Sequence, residues 1–179
     1  MLDDFGALIL VYLLDTSVLI TAHNLYYAID RVPEFWGWLR HVGSNGSVKI
    51  PLECYEEVKD GRKDGQKDLL YAWLKEPETK ETLLLDEEVD PALVAKVISD
   101  GYAKDLTEDE IELLGRDPFI IAYALANSAD RWVVTTEVSK PRRTRHNRHV
   151  PDVCKTLGVN CCDTFALAKS LNFSTSWEE

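Results

Sequence analysis

The sequence predicts an α/β protein: a three-layer α/β/α arrangement around a mainly parallel central sheet. Short apolar, β-forming segments alternate with helical segments, and such alternation joins strands through right-handed crossovers into a parallel sheet. The first of these segments, Val11–Leu14, is continuously apolar, as is typical of a parallel strand covered on both faces. A chain of 179 residues, 45% hydrophobic and 28% charged, suffices for a packed core. We expect a single domain over residues 1–179, with an extension at 1–9 and a core at about 10–171.

The amino-terminal part is predicted to continue from this strand into two helices. Thr16 and Ser17 are residue types that cap helices, and the helical pattern behind them runs through Ala28. Pro33 suits the first turn of the second helix, which ends at the turn-forming sequence Gly43–Gly46. Trp36 and Trp38 lie within this helix, and we expect both to be buried in the core instead of stacking on bases.

The middle of the chain is predicted to hold a second strand and several helices. These are the strand at 48–51, a helix carrying Glu53, Glu56 and Glu57 that stops near Gly61, a helical stretch at 69–74, and helices at 91–98 and 111–114. Asp90 is placed to cap the first of the last two helices, and Thr107 with Glu110 has the spacing of a capping box before the second. Leu83-Leu84-Leu85 fits either an edge strand or a helix end.

Asp117-Pro118 predicts the start of a buried helix, because an acidic N-cap and a proline at the first helical position precede the apolar run Phe119–Leu125. A strand is predicted at 132–135, a weaker one at 159–161, and a closing helix at 165–171.

The amino-terminal apolar run at 7–14 is too short to cross a bilayer and ends on Asp15. The chain opens with Asp3 and Asp4 instead of the positive charges that a secretory signal carries. We therefore expect a cytoplasmic protein without a membrane partner.

The cysteines show no CxxC spacing, and the adjacent pair Cys161-Cys162 cannot easily bridge within itself. Together with Cys54 and Cys154, they predict no disulfide framework. A metal cluster of these cysteines with His146 and His149 is the less favoured alternative to buried or solvated side chains.

Acidic residues follow two predicted strands and begin one predicted helix. Asp15 follows the first strand, Glu137 the strand at 132–135, and Asp117 starts the buried helix. In parallel sheets, sites form at the carboxyl ends of the strands, so we expect these acids to converge there. Each also has a purely structural alternative, as a helix cap for Asp15 and Asp117 or a solvated side chain for Glu137.

Carboxylates gathered in one cleft repel each other, and a divalent cation compensates this repulsion. Ligands that are all oxygens favour Mg²⁺ or Mn²⁺ over zinc. Such an ion supports hydrolysis of a phosphodiester.

Four successive motifs resemble those of PIN domains, in the same order. They are Leu13-Leu-Asp-Thr-Ser-Val-Leu-Ile20, Ile50-Pro51 with Tyr55-Glu-Glu-Val58, Asp117-Pro-Phe-Ile-Ile-Ala122, and Val133-Val-Thr-Thr-Glu137. The resemblance spans Val11 to about Leu171, and the PIN proteins that the chain resembles include toxin-type members. They also include an uncharacterised prokaryotic PIN subfamily whose later segment is similar to His149-Val-Pro-Asp-Val-Cys154.

The resemblance implies a Mg²⁺- or Mn²⁺-dependent endoribonuclease with Asp15, Glu57 and Asp117 as acidic metal ligands. Glu137 stands where many members have a further Asp, so this match is looser. Thr135, and the hydroxyl of Thr16 or Ser17, correspond to polar groups that support the carboxylates. Glu56 is the alternative to Glu57, which is preferred because the family's acid usually precedes an aliphatic residue such as Val58.

The resemblance also implies an RNA substrate and, for a toxin-type member, a neutralising antitoxin and a homodimer. The alternatives are a catalytically inactive PIN scaffold that binds RNA or protein, and a haloacid-dehalogenase-like phosphatase. The sequence contradicts the phosphatase, because Asp15 is followed by Thr16-Ser17-Val18 instead of the DxDxT pattern.

The net charge of −11 argues against a nucleic-acid partner, but the charges are unevenly distributed. Residues 53–117 carry 20 acids and 9 bases, whereas residues 118–179 carry 6 acids and 8 bases. Five positive charges fall within residues 140–148, which follow Glu137 closely. We expect Arg142, Arg143, Arg145 and Arg148 to contact RNA phosphates beside the metal, the alternative being a solvated loop that neutralises the acidic middle.

Overall fold

The computed structural model describes residues 10–60 and 69–178 and has the α/β architecture predicted from the sequence. Its elements are β1 (Val11–Leu14), α1 (Thr16–Thr21), α2 (Pro33–Ser44), β2 (Val48–Lys49), α3 (Leu52–Asp60), α4 (Leu69–Lys75), α5 (Pro77–Leu83), α6 (Pro91–Lys96), α7 (Glu108–Leu113), α8 (Asp117–Leu125), β3 (Arg131–Val134), α9 (Val150–Leu157), β4 (Asn160–Cys162) and α10 (Thr164–Ser170). The predicted extension at 1–9 and the predicted helix end near Gly61 lie outside the described residues.

The strands form a parallel sheet in the order β2-β1-β3-β4. Leu13 of β1 is in register with Val133 of β3, which in turn faces Cys161 of β4. Leu13 and Val133 are fully buried, because helices cover both faces of the sheet. The three-layer α/β/α prediction is therefore confirmed. Because all strands are parallel, their carboxyl ends lie at the same edge of the sheet.

Most of the predicted helix starts are present. Pro33 lies in the first turn of α2, and Asp90 caps α6 by accepting a hydrogen bond from the Ala92 amide. Thr107 and Glu110 form the predicted capping box before α7. These caps satisfy backbone groups that would otherwise lack partners at the helix ends.

Two capping predictions are wrong. Asp117 is the first helical residue of α8, and Arg116 occupies the N-cap, so the Asp117 side chain makes no capping hydrogen bond. Asp15 occupies the N-cap of α1, and the Thr16 and Ser17 hydroxyls bond to carboxylates instead of the helix end.

The first helix is also shorter than the pattern indicates. It continues from α1 as a π-helical turn over Ala22–Tyr26 and stops before Ala28. The Tyr27 ring stacks on Phe35 at 4.2 Å, and the Tyr27 carbonyl accepts a hydrogen bond from the Trp36 indole. Packing on α2 therefore ends the helix.

The sequence did not predict α9, and it indicated α5 only through the helix-end alternative for Leu83-Leu84-Leu85. Leu83 ends α5, and the next residue, Leu84, forms a parallel bridge with Ile50, so both alternatives for this segment are met in part. Pro151 lies in the first turn of α9, and Gly158 ends that helix with a positive φ of 71°.

An aromatic cluster fills the core beside α2. Trp36 and Trp38 are each 2% exposed, as predicted, and pack around Phe35. Phe173, beyond α10, contacts Phe35 and Trp38 and so ties the end of the chain to this cluster. Among the described residues, no helix has the length and apolar character needed to span a membrane.

Candidate active site

Asp15 lies directly after β1, at the edge where the parallel strands end. Its backbone amide donates to the Val134 carbonyl oxygen (2.9 Å), which extends the pairing of β1 with β3. The side chain is only 8% exposed. A buried carboxylate needs hydrogen-bond donors or a compensating positive charge, so its neighbours determine what it can do.

Two hydroxyl groups hold one oxygen of this carboxylate. Ser17 donates to Asp15 Oδ2 at 2.5 Å, and Thr135, which is buried after β3, donates to the same oxygen at 2.8 Å. Asp15 Oδ1 receives no hydrogen bond from the described residues. The carboxylate is thus oriented by one oxygen and leaves the other available to a ligand.

Glu57 reaches the site from α3. The Thr16 hydroxyl donates to Glu57 Oε2 at 2.6 Å and lies 3.2 Å from the Cys54 carbonyl oxygen. Because Thr16 follows Asp15, this bond brings the Glu57 carboxylate toward the carboxyl end of β1. Glu56 has no hydrogen bond to any described residue.

Asp117, in the first turn of α8, has the most perturbed acidity of the site. Burial is the largest cause that raises the pKa of Asp117, and with the negative charges of Asp15, Glu137 and Glu57, in that order of effect, it brings this pKa to about 8. These carboxylates are therefore close enough to repel one another.

Glu137 lies two residues after Thr135 and shares its hydroxyl. The Glu137 amide donates to Thr135 Oγ1 at 3.2 Å, while Glu137 Oε2 accepts a hydrogen bond from the Val150 amide at 2.7 Å. Val150 is the first residue of α9, where free amides and the helix dipole favour an anion. His149 Nδ1 lies 3.8 Å from the same oxygen.

The four predicted acids thus share one electrostatic environment at the carboxyl edge of the sheet. They are not drawn into a coordination sphere: within residues 10–60 and 69–178, no group of three or more His, Cys, Asp or Glu side chains has the spacing to hold a metal ion. The arrangement offers carboxylate oxygens as ligands at one edge of the sheet.

Tyr102 is a member of this environment that the sequence did not suggest. It ends the π-helical turn Val97–Tyr102, and its buried hydroxyl has no hydrogen-bond partner among the described residues. Burial and the charges of Asp117 and Glu137 raise its pKa above the ordinary value, so the hydroxyl stays protonated. A buried, unpartnered donor beside carboxylates is a natural partner for a bound water or ligand oxygen. A π-helical turn, which often marks a functional site, is not visible in the sequence pattern.

Two of the four predicted phosphate-binding arginines are engaged within the protein. Arg145 forms ion pairs with Glu110 (2.7 Å) and Asp105 (2.8 Å). Arg148 donates to Thr156 Oγ1 at 2.7 Å, to the Asp152 carbonyl oxygen at 2.9 Å and to the Gly101 carbonyl oxygen. Both guanidinium groups hold α9 and the preceding loop against the rest of the fold, and their role as phosphate contacts stays a prediction.

Arg142 and Arg143 are exposed and form no ion pair with any residue in the described part of the chain. The loop that carries them is anchored at its start: Asp152 accepts hydrogen bonds from the Ser139 hydroxyl (2.5 Å) and the Lys140 amide (2.7 Å). Burial favours the neutral form of Asp152, but these bonds outweigh it and lower its pKa. The two arginines thus project from a fixed base.

A cavity of about 620 Å³ lies beyond the ends of β3 and β4, and of the four acids Glu137 lines it. Thr135, Thr136 and Glu137 form the wall that it shares with the site. On the far side it is lined by Tyr26, Phe165 and the segment 161–164. Substrate groups flanking the carboxylates have room here.

The family comparison covers both the carboxylates and this cavity. A family model described as "Domain of unknown function (DUF4411)" matches residues 12–175. The chain belongs to the DUF4411 family. No curated protein matches the chain. The match contains all four acids, so the site lies within the DUF4411 domain itself.

The cysteines of this DUF4411 domain are all free, in agreement with the prediction of no disulfide framework. Cys54 is buried, and burial raises its pKa well above the ordinary value. His146 contacts Glu110 at 3.0 Å, which gives it a structural role apart from the cysteines.

Proposed function

We propose that this protein is a PIN-like endoribonuclease that hydrolyses RNA phosphodiester bonds with Mg²⁺ or Mn²⁺. The observation that carries the proposal is that acids from three separate motifs, Asp15, Glu57 and Glu137, lie near enough to Asp117 of a fourth motif to raise its pKa. Each of the four acids belongs to a different one of the PIN-like motifs.

The residues fit a hard divalent cation. All four side chains are carboxylates, and such oxygen ligands favour Mg²⁺ or Mn²⁺. Asp15 Oδ1 has no hydrogen bond from the described residues, and the Tyr102 hydroxyl is buried without a partner. The site therefore has both anionic oxygens and a neutral donor that a hydrated cation can use.

The chain's own groups position the reaction. Ser17 and Thr135 fix Asp15, Thr16 fixes Glu57, and the amino end of α9 fixes Glu137. A bound cation supplies charge neutralisation and acidifies water in such sites. Asp117, with a pKa of about 8, holds a proton near neutral pH that it releases when the surrounding negative charge is compensated.

The exposed arginines account for RNA binding by an acidic protein. Arg142 and Arg143 lie in the loop that leaves the cavity rim at Ser139, and phosphate contacts by arginine are largely independent of sequence. We expect them to hold the RNA backbone beside the carboxylates.

A second candidate is a PIN-like scaffold that binds RNA without cleaving it. The spacing of the carboxylates, which does not form a ready coordination sphere among the described residues, favours this alternative. The two candidates differ in whether a divalent cation binds and whether RNA is cut.

Calorimetric titration with Mn²⁺, followed by incubation with single-stranded RNA, separates them. The nuclease requires Mn²⁺ binding that Asp15→Asn weakens, together with cleavage that EDTA stops. The matched control is Asp109→Asn, an exposed acid in the first turn of α7. RNA binding with neither Mn²⁺ uptake nor cleavage would establish the scaffold instead.

The resemblance to toxin-type members extends the proposal to a cytoplasmic toxin with an antitoxin and a homodimeric state. Growth arrest on expression of the wild type, absent with Asp15→Asn and relieved by the product of the adjacent gene, tests the toxin. Light scattering of the purified protein measures its oligomeric state.

A further inference from the structure

Two exposed aromatic side chains stand at the rim of the cavity beside the carboxylates. Tyr26 is 51% exposed and Phe165 is 55% exposed, and their rings meet edge to face with centroids 5.2 Å apart. Both line the cavity, which we call the Tyr26–Phe165 cavity. Large aromatic groups left in solvent at a concave surface offer a stacking platform for a planar ligand.

The charges around this cavity select a neutral group. Glu137 and Asp163 are among its lining residues, and none of those in the described part of the chain is Lys or Arg. A phosphate would be repelled there, whereas a nucleobase carries no charge. A volume of about 620 Å³ is sufficient for a nucleoside.

Polar groups on the cavity wall suit the edge of a base. Thr164 is 7% exposed, and within the described part of the chain its buried hydroxyl has no hydrogen-bond partner. Asp163 uses Oδ1 to cap α10 through the Ala166 amide at 2.7 Å. The other oxygen of the Asp163 carboxylate can therefore accept a hydrogen bond from a donor such as an exocyclic amino group of a base.

We propose that the Tyr26–Phe165 cavity binds one unstacked base of a single-stranded RNA, next to the phosphodiester held at the carboxylates. The inference rests on the proposed ribonuclease function and adds the substrate class to it. Because Thr135 and Glu137 belong to both the cavity and the carboxylate site, a base in the cavity fixes which phosphate lies at the acids. Duplex RNA, whose bases are stacked and paired, is excluded from this position.

The test measures binding of a short fluorescein-labelled single-stranded RNA in EDTA, where no metal-dependent cleavage occurs. The variants are Tyr26→Ala, Phe165→Ala and the double variant, with Phe165→Leu to keep apolar volume without a ring. Leu113→Ala is the control, because Leu113 is 69% exposed on α7 and does not line the cavity. The double variant should bind between about five-fold and about 150-fold more weakly, and the control should bind as the wild type does.

A series of RNAs, each with an abasic residue at a different position, tests whether the loss of affinity in the double variant comes from contact with a base. At one position the abasic change should weaken wild-type binding but leave the double variant almost unaffected, because both changes remove the same contact. Unchanged affinity in the double variant, no RNA binding by the wild type, or equal abasic losses in both proteins would overturn the base site.

Cleavage in Mn²⁺, measured in parallel, separates the two proposals. Wild-type cleavage with unaltered binding by the aromatic variants removes the base site and leaves the nuclease. Weakened binding by those variants without wild-type cleavage removes the nuclease and leaves the base site.

Discussion

Glu110 and Asp117 lie seven residues apart in the chain, yet their surroundings shift their pKa values in opposite directions. Arg145, the Thr107 amide and His146 all bond to Glu110 and lower its pKa. Around Asp117, burial and three further carboxylates raise the pKa to about 8. Glu110 is stabilised in its charged form by the contacts that it makes with Arg145, whereas the surroundings of Asp117 disfavour its charged form.

The contrast shows how an acidic protein divides its charges. Arginines pair with acids away from the carboxyl ends of the strands, as Arg131 does with Glu87 and Arg40 with Glu76. At the strand ends, the described residues bring acids together without an arginine or lysine partner. Charge repulsion that costs stability is expected where function requires it.

The largest expected effect is on catalysis at the repelling cluster. Asp15→Asn keeps the shape of the side chain but removes its charge, so RNA cleavage in Mn²⁺ should fall by at least about 100-fold. Asp109→Asn should cleave as the wild type does, and circular dichroism checks that both variants fold. Full activity of Asp15→Asn, or of the wild type in excess EDTA, would falsify the mechanism.

The next effect is on stability without metal. Because the pKa of Asp117 is about 8 when folded and near 3.8 when unfolded, the folded state holds more protons between these values, and wild-type stability should decrease as pH rises through this range. Asp117→Asn should remove this decrease and raise the free energy of unfolding at pH 8–9 by about 2–5 kcal/mol. Urea unfolding in EDTA measures it.

The groups that face Asp117 in this experiment are Asp15, Glu57, Glu137 and Tyr102. The three carboxylates disfavour the charged form of Asp117, and a charged Asp117 in turn disfavours ionisation of Tyr102. Parallel pH profiles for the wild type and Asp117→Asn would show that the four carboxylates do not repel one another as described.

A smaller effect distinguishes the two arginine pairs. Replacing the exposed Arg142 and Arg143 by Ala should reduce the magnitude of the slope of log affinity for single-stranded RNA against log salt by about 1.4, at about 0.7 for each lost phosphate contact. The melting temperature should not change. Replacing Arg145 and Arg148 should instead lower the melting temperature, because both are engaged within the fold. Anisotropy titrations over a salt series test this, and an unchanged slope in the first variant would reduce the segment to a solvated loop.

The smallest effect is expected at Glu110. Glu110→Gln retains the residue type of a capping box but loses the charge paired with Arg145, so the melting temperature should fall slightly at neutral pH. A lowered folded pKa contributes stability above the unfolded pKa of about 4.5 that is lost as pH falls, so the difference from wild type should vanish in acid. Glu108→Gln, exposed on the same helix, is the control. A difference that persists at low pH would show that packing and not charge is responsible.

Local signals explain why much of the fold was predictable. Val11–Leu14 is apolar throughout because both faces of β1 are covered. Thr107 and Glu110 are three residues apart and cap α7 through contacts with each other, so the sequence alone indicates this cap. Helix α9 was not predicted, because Val150, Val153 and Cys154 have weak helix propensity and the helix depends on packing. Gly101, for example, lies so close to Val153 that a Cβ at position 101 would be 2.6 Å from it.

The site was predictable where it depends on strand ends and not where it depends on distant partners. Asp15 follows β1 directly and Glu137 comes three residues after β3, so the sequence predicts the sheet edge at which both lie. The pairing of Arg145 with Glu110 and Asp105 joins residues 35 and 40 positions apart, and no local pattern contains it. Tyr102 enters the site only through the π-helical turn that carries it.

The two hydroxyl bonds to a single oxygen of Asp15 have a consequence for ligand affinity. Ser17 and Thr135 restrict rotation of the carboxylate about its bond to Cβ, so little rotational entropy remains to be lost when a ligand binds to Oδ1. The remaining oxygen also presents a fixed direction for its lone pairs, which favours a single-point contact over a bidentate one. Preorganisation at Asp15 is thus established during folding, before any substrate or ion arrives.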